Sequence, residues 1–541
     1  MIDKEEGRLI GTNEPWTLNM TNCRMTKQEN TRRIKGDGIF SSFITRHSSF
    51  VIVGIQNCRR LTRYSSFYGS LLAFLLLVLL SGCLPNQKTA IPLPYPLQEI
   101  APATGDRARL SCFLALKDDQ GPAIRMEVTS IEVISDNQSL PLISRPITLD
   151  STAIGTGQLF LAGVTVPPGS YHGMRFTITS GEIVKSNEGD AAITQEPLTV
   201  EIAFSFDLEL EPHDSKTILI TWDLENSLTD NNNLRPSLTA TPPLKQLAVD
   251  LLLVSCPDID TIFVIRSDKN WVVDSFGLKG GPTYMAVNPD TEQLVYILTA
   301  RDRMIKVVDL STYRTINFFP IPLNDEPSFM TINPDGQSGY LFDEQNGYIS
   351  RIDLTTGQVV SRVLHNYRPK FAEYLDEKNL LAVSLSLLQK VVLLDPETLQ
   401  TIGTISTGSS PQGLAYSDNK LLISEYSDNT VAVYDMDSYG SINQMTVGFG
   451  PRRLLEANDN KIYVSNYNEG SLSVLLPGQL GVMQDIFGFD TPLEMAFNES
   501  YLRLYVAEEN KGSLAVVDTN TNALQGQIVL GARPFDLEVI Q

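Results

Sequence analysis

The chain has 541 residues, of which 42% are hydrophobic and 19% are charged, a composition typical of globular domains and not of fibrous or disordered chains. Its 63 acidic and 42 basic residues give a net charge of -21, which disfavours nucleic acid as a partner because acidic surfaces repel phosphates. Five cysteines and four histidines are too few and too scattered for a disulfide-rich or zinc-rich protein.

An apolar run near residue 80 has the features of an export signal. Residues 71–80 read LLAFLLLVLL, with Arg59, Arg60 and Arg63 before them and small residues after them. A membrane-spanning helix needs roughly 20 apolar residues, about twice the length of this run. The pattern therefore predicts a secretory signal over residues 59–82.

The end of this signal, LSGC at residues 80–83, resembles a bacterial lipobox. The resemblance implies cleavage before Cys83 and acylation of its thiol, so that the membrane is a partner through a lipid anchor. Leu84, where an aspartate would retain a lipoprotein in the inner membrane, implies the outer membrane of the cell envelope. The alternative is an uncleaved signal anchor. Residues 1–58 are polar and aperiodic, and we expect either a start codon assigned too early, with a disordered extension, or a cytoplasmic tail.

Two segments follow the predicted anchor. Residues 83–107 are rich in proline and predict an extended tether. Residues 108–243 contain short Val-, Ile-, Thr- and Phe-rich strands separated by turn residues, which predict an antiparallel β-sandwich. The strands that we expect are Met126–Ile134, Gln158–Val166, Gly173–Val184, Leu198–Leu210 and Ser215–Leu224. Within them, VTVPPGSYHGMR at residues 164–175 resembles DUF4382-like extracellular sandwich domains, a resemblance that implies no chemistry.

A repeat fills residues 246–541. A proline recurs every 40 to 45 residues, and each is followed by an apolar strand, a second strand, a third strand that often ends in Asp, a polar turn and a fourth strand. Four strands per unit of about 40 residues is typical of β-propellers. The recurring prolines are Pro282, Pro327, Pro369, Pro411, Pro451, Pro492 and Pro534.

The units resemble the YVTN-type repeats of seven-bladed β-propellers, best in IYVSNYNEGSLSVL (462–475) and LYVAEENKGSLAVVD (504–518). The segment before Pro282 aligns with the second to fourth strands of a unit, so the C-terminal strand is expected to complete the first blade. The predicted fold class is therefore all-β, a seven-bladed β-propeller preceded by an antiparallel β-sandwich.

Enzyme motifs are absent from the sequence. There is no G-x-S-x-G elbow, HExxH helix, P-loop, dinucleotide fingerprint or EF-hand. We predict no catalytic residue, metal or cofactor. The aspartates that end the third strands are expected to bind the amides of their own turns. These are Asp309, Asp353, Asp395, Asp435 and Asp518. Cys112 and Cys256 are left as either a disulfide of an exported chain or two buried thiols.

Ligand binding is the favoured function, on the loops before each proline and after each second strand. Tyr and Arg, which are enriched at binding hot spots, are frequent there. The candidate residues are Arg368, Glu425, Tyr426, Arg452, Arg453, Asn466, Tyr467, Glu508, Glu509 and Arg533. We expect a protein, peptide or glycan of the envelope as ligand. The alternatives are a hydrolase of the lactonase-like propeller type, and a structural surface-layer component.

Overall fold

The computed structural model describes residues 105–118, 121–184, 191–192, 197–229, 233–243, 249–291, 293–322, 326–476, 478–479 and 481–540. The predicted extension, signal, lipobox and most of the predicted tether lie outside these ranges. The described residues form nine β-sheets and one short helix, α1 (Ser151–Ile154), with single 3-10 turns at Pro257–Ile259, Asp376–Lys378 and Asn458–Asn460.

The first ten strands form two sheets, which we call the N-terminal sheet pair. Their order is β10-β9-β1-β5 in one sheet and β3-β2-β6-β7 in the other, with β4 on β2 and β8 on β6. The strands are β1 (Ala108–Leu116), β2 (Ile124–Ser135), β3 (Ser139–Pro141), β4 (Ile147–Asp150), β5 (Gln158–Val166), β6 (Gly169–Ile183), β7 (Ala191–Ala192), β8 (Leu198–Leu210), β9 (Ser215–Asp223) and β10 (Ser237–Thr241).

One hydrophobic cluster lies between these two sheets. Alternate residues of β1, among them Leu110 and Leu114, point into it, and Trp222 of β9 is fully buried there with Phe176 of β6. The period of two that predicts strands from the sequence thus also selects the buried face.

One feature of the sheet pair differs from the predicted antiparallel arrangement. β1 and β9 pair in parallel, with Arg109 opposite Ser215 and Leu116 opposite Trp222. The chain passes through the whole second sheet between these two strands, and such a long crossover permits parallel pairing. Alternating sequence patterns do not report strand direction, so this pairing could not be predicted.

The remaining strands form seven four-stranded antiparallel sheets in chain order, the arrangement of a β-propeller. Sheet 1 contains β38 (Leu537–Ile540), β11 (Leu251–Cys256), β12 (Thr261–Arg266) and β13 (Trp271–Gly277). Sheet 2 contains β14 (Pro282–Val287), β15 (Leu294–Thr299), β16 (Met304–Asp309) and β17 (Arg314–Pro320). Sheet 3 contains β18 (Phe329–Ile332), β19 (Ser338–Asp343), β20 (Tyr348–Asp353) and β21 (Val359–Leu364). Sheet 4 contains β22 (Pro369–Leu375), β23 (Leu380–Leu385), β24 (Lys390–Leu394) and β25 (Thr401–Ser406).

The last three sheets repeat the same order. Sheet 5 contains β26 (Pro411–Ser417), β27 (Lys420–Glu425), β28 (Thr430–Asp435) and β29 (Ser441–Thr446). Sheet 6 contains β30 (Pro451–Glu456), β31 (Ile462–Asn466), β32 (Ser471–Leu475) and β33 (Gln484–Phe487). Sheet 7 contains β34 (Pro492–Asn498), β35 (Arg503–Glu508), β36 (Ser513–Asp518) and β37 (Ala523–Val529).

The first strand of each sheet contacts the first strand of the next, from β14 through β34. The C-terminal strand β38 contacts both β34 and β14 and pairs with β11, with Leu251 opposite Ile540. This is the pairing that the repeat predicts. These contacts place the seven first strands at the centre of the propeller, and the pairing of β38 with β11 makes the C-terminal strand the innermost strand of sheet 1.

The aspartates at the ends of the third strands bind their own turns, as predicted. Oδ1 of Asp309 accepts from the amide of Ser311, at 2.7 Å, and from its hydroxyl. Oδ1 of Asp435 accepts from the amide of Ser438 at 2.8 Å. The other three aspartates make the same contacts; these are Asp353, Asp395 and Asp518. The hydrogen bonds hold the pKa of all five carboxyls below the usual range.

The sheet pair packs against sheet 1. Phe113 of β1 meets Phe263 of β12 with ring centroids 6.3 Å apart, and Thr217 of β9 donates to Ser275 of β13 at 2.9 Å. Gly531, at a φ of 68°, lies so close to the ring of Phe160 that a Cβ there would be 2.1 Å from it. The sheet pair and the propeller are therefore closely fitted.

Candidate functional site

The loops predicted to form a binding face are joined in pairs by backbone hydrogen bonds in sheets 2, 4, 5, 6 and 7. The turn after the second strand donates backbone hydrogen bonds to the loop before the recurring proline, as from Tyr426 N to Ser410 O and from Tyr467 N to Gly450 O. Because these pairs sit at the same end of these sheets, they form one face of the propeller, which we call the loop face.

Three of the predicted ligand-binding residues are withdrawn from this face. Glu425, Asn466 and Glu508 are the last residues of their second strands and are at most 1% exposed. The Glu425 carboxylate accepts from the amide of Gly408 and the hydroxyl of Thr430, each at 2.6 Å.

Glu508 and Asn466 bind their own sheets in the same way. Glu508 accepts from Lys511 Nζ and from the Ser513 hydroxyl, both at 2.9 Å. The Nδ2 of Asn466 donates to the hydroxyls of Ser471 and Ser473 at 3.0 Å. These three side chains hold the loops in place and cannot contact a ligand, which corrects the prediction at these positions.

The remaining predicted residues lie on the face or just below it. Arg368 and Arg533 are exposed, and Tyr426 is half-buried and accepts from Asn468 Nδ2 at 2.9 Å. The half-buried Tyr467 donates to Glu509 at 2.7 Å, across the boundary between sheets 6 and 7. The predicted residues are thus partly brought together, as short chains that link neighbouring sheets.

Arg452 and Arg453 are adjacent in β30 but have different surroundings. The Arg452 guanidinium lies 5.5 Å from the ring centre of Tyr467 and 5.9 Å from that of Phe371. Arg453 turns inward and pairs with Glu494 of β34, with Nε and Oε2 2.6 Å apart. Arg453 therefore belongs to the central channel and not to the loop face.

A layer of side chains fills the channel two residues after each recurring proline. Arg453 of sheet 6 lies 5.5 Å from the ring of Phe329 in sheet 3, a contact between distant sheets that is possible only at the centre of the ring. The Tyr284 hydroxyl donates to Glu494 of sheet 7 at 3.3 Å. The layer consists of Tyr284, Phe329, Phe371, Gly413, Arg453, Glu494 and Asp536.

Aromatic rings enclose the charges of this layer. Tyr284 meets Phe329 and Phe535 edge to face at 4.8 and 5.1 Å, and Phe371 lies 4.4 Å from the Arg453 guanidinium. Burial opposes the charge of Arg453, but the surrounding carboxylates raise its pKa. Burial also raises the pKa of Tyr284 well above its usual range. The arrangement suits a neutralised, water-poor plug.

Carboxyl groups of high pKa continue this channel. Burial, with the neighbouring carboxylates Glu494 and Glu538, raises the pKa of Asp536, whose Oδ2 accepts from the amide of Met285 at 2.7 Å. Burial raises the pKa of Glu538, and likewise that of Glu373, to about 7. The carboxyl groups of Glu538 and Glu373 could therefore exchange protons near neutral pH. The sequence signal that could have found this layer is the residue type at a fixed distance after each recurring proline.

The loop face carries a cleft of about 860 Å³ among sheets 2, 3 and 4. Arg368 is the only predicted ligand-binding residue that lines this cleft. The other lining residues could not be predicted, because the repeat pattern does not distinguish one sheet from another. The lining residues are Ala300, Arg301, Arg303, Glu326, Pro327, Ser328, Glu344, Gln345 and Arg368.

Both described cysteines are buried free thiols, so the structure has the second of the two predicted alternatives. Cys112 belongs to the core of the sheet pair and Cys256 to a cluster of sheet 1. Burial raises the pKa of both, to about 12 for Cys112. Cys83 lies outside the described residues. Within the described ranges, no group of three or more His, Cys, Asp or Glu side chains could hold a metal, and no helix has the length and apolar character needed to cross a membrane.

Comparisons with known proteins give likenesses to solved structures. No family model matches the sequence, and no curated protein matches it. The dihydro-heme d1 dehydrogenase NirN in complex with DHE is 14% identical, with 53% of this chain and 66% of NirN covered and a TM-score of 0.42. A functionally unknown protein from Desulfotomaculum acetoxidans is 14% identical, with coverages of 54% and 99% and a TM-score of 0.48. The computationally designed Ika8 protein is 16% identical, with coverages of 54% and 88% and a TM-score of 0.44.

Proposed function

We propose that the seven four-stranded sheets are the blades of one seven-bladed β-propeller of the YVTN type, and that the N-terminal sheet pair is a β-sandwich domain. The unbroken series of contacts between first strands and the pairing of β38 with β11 support this count. The single cluster between the two N-terminal sheets supports the sandwich.

We further propose that the protein is a lipid-anchored, extracytoplasmic binding or scaffold protein of the bacterial envelope, held at the outer membrane through Cys83. Its loop face would bind a protein, peptide or glycan. The observation that carries this proposal is the cleft of about 860 Å³ on the loop face, a size within the usual range of ligand sites. The cleft is built from loops on a rigid ring of sheets, which is where propellers offer variable side chains.

A lactonase-like hydrolase is the second candidate, and one observation favours it. Arg453, Glu494, Tyr284 and Asp536 converge in the channel, as acid, base and cationic groups of an active site would. Against this candidate, Glu494, Tyr284 and Asp536 are at most 8% exposed, and aromatic rings close the layer around them. Groups that neutralise one another behind such a wall serve packing better than substrate turnover.

Site-specific photo-crosslinking in cells tests the binding proposal. A photoreactive phenylalanine analogue replaces the exposed Gln345, which lines the cleft, or Ile442 on the outer strand β29 of sheet 5 as a control. We expect one specific adduct from position 345 and none from position 442. Equal labelling from both positions, or none from position 345, contradicts a binding role for the cleft on the loop face.

Two further measurements separate the other parts of the proposal. Mass spectrometry of the mature N-terminus, with palmitate labelling, should find acylated Cys83, and an intact N-terminus would refute the anchor. Hydrolysis of a lactone panel should be absent in the wild type. Turnover that Glu494→Gln abolishes would establish the hydrolase instead.

A further inference from the structure

The cleft on the loop face differs in charge from the rest of this acidic chain. Three arginines, Arg301, Arg303 and Arg368, line it with two glutamates, Glu326 and Glu344, whereas the whole chain carries a net charge of -21. Lys370 Nζ lies 2.5 Å from a carboxylate oxygen of Glu344 and neutralises it. Arg301 likewise pairs with Asp260, and Arg303 with Glu326 at 3.8 Å. The cationic groups of the cleft thus outnumber its carboxylates by one, and Arg368 is the arginine in excess.

One of these arginines is fixed firmly in place. Nη2 of Arg301 donates to Asp260 Oδ1 at 2.5 Å and to the carbonyl of Pro257 at 2.9 Å. Its side chain lies over Gly281, where a Cβ would be 2.7 Å from the Arg301 Nε. A glycine at this position allows the guanidinium to lie flat on the backbone, so that its orientation is set before a ligand arrives.

The other two arginines stand at backbone positions that favour glycine. Arg303 is the fourth residue after its second strand and has a φ of 54°, in the left-handed region. At the same place the other sheets have mostly Gly, Asn or Asp, which adopt this region more readily. These residues are Asp260, Gly347, Gln389, Asn429, Gly470 and Gly512.

Arg368 shows the same departure from the repeat. It precedes the recurring proline of sheet 4 with a φ of 55°, whereas the other left-handed residues at this place are shorter: Gly281 and Gly450 in sheets 2 and 6, and Ser410 and Thr491 in sheets 5 and 7. Two neighbouring loops of one cleft thus carry a long cationic side chain at a strained position. Left-handed residues recur in the turns of this chain, so these two positions stand out by the length and charge of their side chains.

We propose that this cleft binds an acidic peptide segment, rich in Asp and Glu, of a partner polypeptide. The inference rests on the proposed binding function of the loop face and names its ligand class. Guanidinium groups match the planar carboxylate and can bind it through two parallel hydrogen bonds. Glu326 and Glu344 disfavour the denser charge of a phosphate and offer acceptors for backbone amides, and the cleft volume suits a few residues.

Binding of a fluorescein-labelled alternating Asp–Glu hexapeptide to the full chain, measured by fluorescence anisotropy, tests this proposal. The double variant Arg303→Gly/Arg368→Gly installs the residue that the repeat uses elsewhere. We expect affinity to fall about tenfold or more, while the melting temperature is unchanged or higher. Arg314→Gly, an exposed arginine at the start of the outer strand β17 and away from the loop face, is the control and should bind as the wild type does.

The remaining outcomes each decide the proposal. The proposal is supported if binding of the acidic peptide falls steeply with salt, and if neither tripolyphosphate nor a Lys hexapeptide competes with that peptide. Equal binding by the double variant and the wild type overturns it, as does stronger binding of tripolyphosphate than of the acidic peptide. If the double variant unfolds, Arg303→Lys/Arg368→Lys, which keeps the charge but not the planar fork, must bind more weakly than the wild type or the proposal fails. If crosslinking from position 345 persists while the acidic peptide fails to bind, the ligand class is refuted and the loop-face function stands.

Discussion

Arg109→Met should stabilise the protein, because the wild-type arginine is buried without a partner. Arg109 is 3% exposed, and none of its three guanidinium nitrogens has a hydrogen-bond partner among the described residues. Its Nη2 would lie 2.6 Å from a Cβ at position 163, so Gly163 provides the space that the side chain occupies. Methionine keeps the apolar stem and removes the charge.

The magnitude follows from the pKa. Burial lowers the pKa of Arg109 from 12.5 to about 10, with Cys256 as a smaller opposing influence. At about 1.4 kcal/mol per pH unit, this corresponds to an unfavourable contribution of about 3 kcal/mol to folding at neutral pH. Lost packing takes back part of the gain, so we expect a net stabilisation of about 1–2 kcal/mol.

The stability difference between Arg109→Met and the wild type should shrink at high pH. Below pH 10 the guanidinium is protonated in both states, so its unfavourable contribution is fully present and the variant is more stable by a constant amount. Between pH 10 and 12.5 the unfolded state binds more protons, so the wild type gains stability and the difference shrinks.

Urea unfolding monitored by tryptophan fluorescence measures this difference, with Trp222 reporting on the sheet pair and Trp271 on the propeller. Arg175→Met is the control, because Arg175 is partly exposed and pairs with Glu132 and Glu201. If the free energy of unfolding of Arg109→Met is instead lower than that of the wild type by about 1 kcal/mol or more, the reasoning is refuted, because the charge is then stabilised where it lies.

Three other predictions concern packing and charge in the propeller. Gly531→Ala should lose roughly 1–3 kcal/mol of stability in urea unfolding, because its Cβ would overlap the ring of Phe160. Gly526→Ala, with open space around its Cβ, should lose none. Equal stability of the two variants would contradict the close fit. Arg453→Met should cost about 3 kcal/mol by leaving Glu494 buried and unpaired, and adding Glu494→Gln should restore most of it; a double-mutant cycle without coupling would disprove the pair. Glu373→Gln should stabilise the protein at pH 8 and much less at pH 5. A carboxyl pKa raised to about 7 makes the wild type lose stability as the pH rises from about 4.5 to 7. A stability difference that does not change with pH would argue against the raised pKa.

The repeat made the sheets predictable because it combines two local signals. The recurring proline sets the start of a first strand in sheets 2, 4, 5, 6 and 7, and the terminal aspartate sets the turn after a third strand. Both depend on backbone conformation within a few residues, which the sequence encodes directly. The same alignment predicts the C-terminal strand beside β11, because the first unit lacks only its first strand and the C-terminal strand has no other unit to complete.

The candidate site was harder to predict because it depends on register and on contacts between distant sheets. The sequence pattern predicts Glu425, Asn466 and Glu508 as loop residues, but each is the last residue of a second strand, and a shift of one position there decides between surface and core. The contact of Arg453 with Glu494 joins different repeats at the channel centre, which no repeat alignment shows.

The most direct test of the loop-face account is an affinity measurement with the partner that crosslinking from position 345 identifies. The purified partner is titrated against the wild type, the loop-face variant Gln345→Ala/Arg368→Ala and the outer-strand variant Ile442→Ala. The account predicts about a tenfold or greater loss of affinity for the loop-face variant, which is about 1.4 kcal/mol, and none for the outer-strand variant. Equal affinity of all three proteins, or a loss confined to Ile442→Ala, would contradict it.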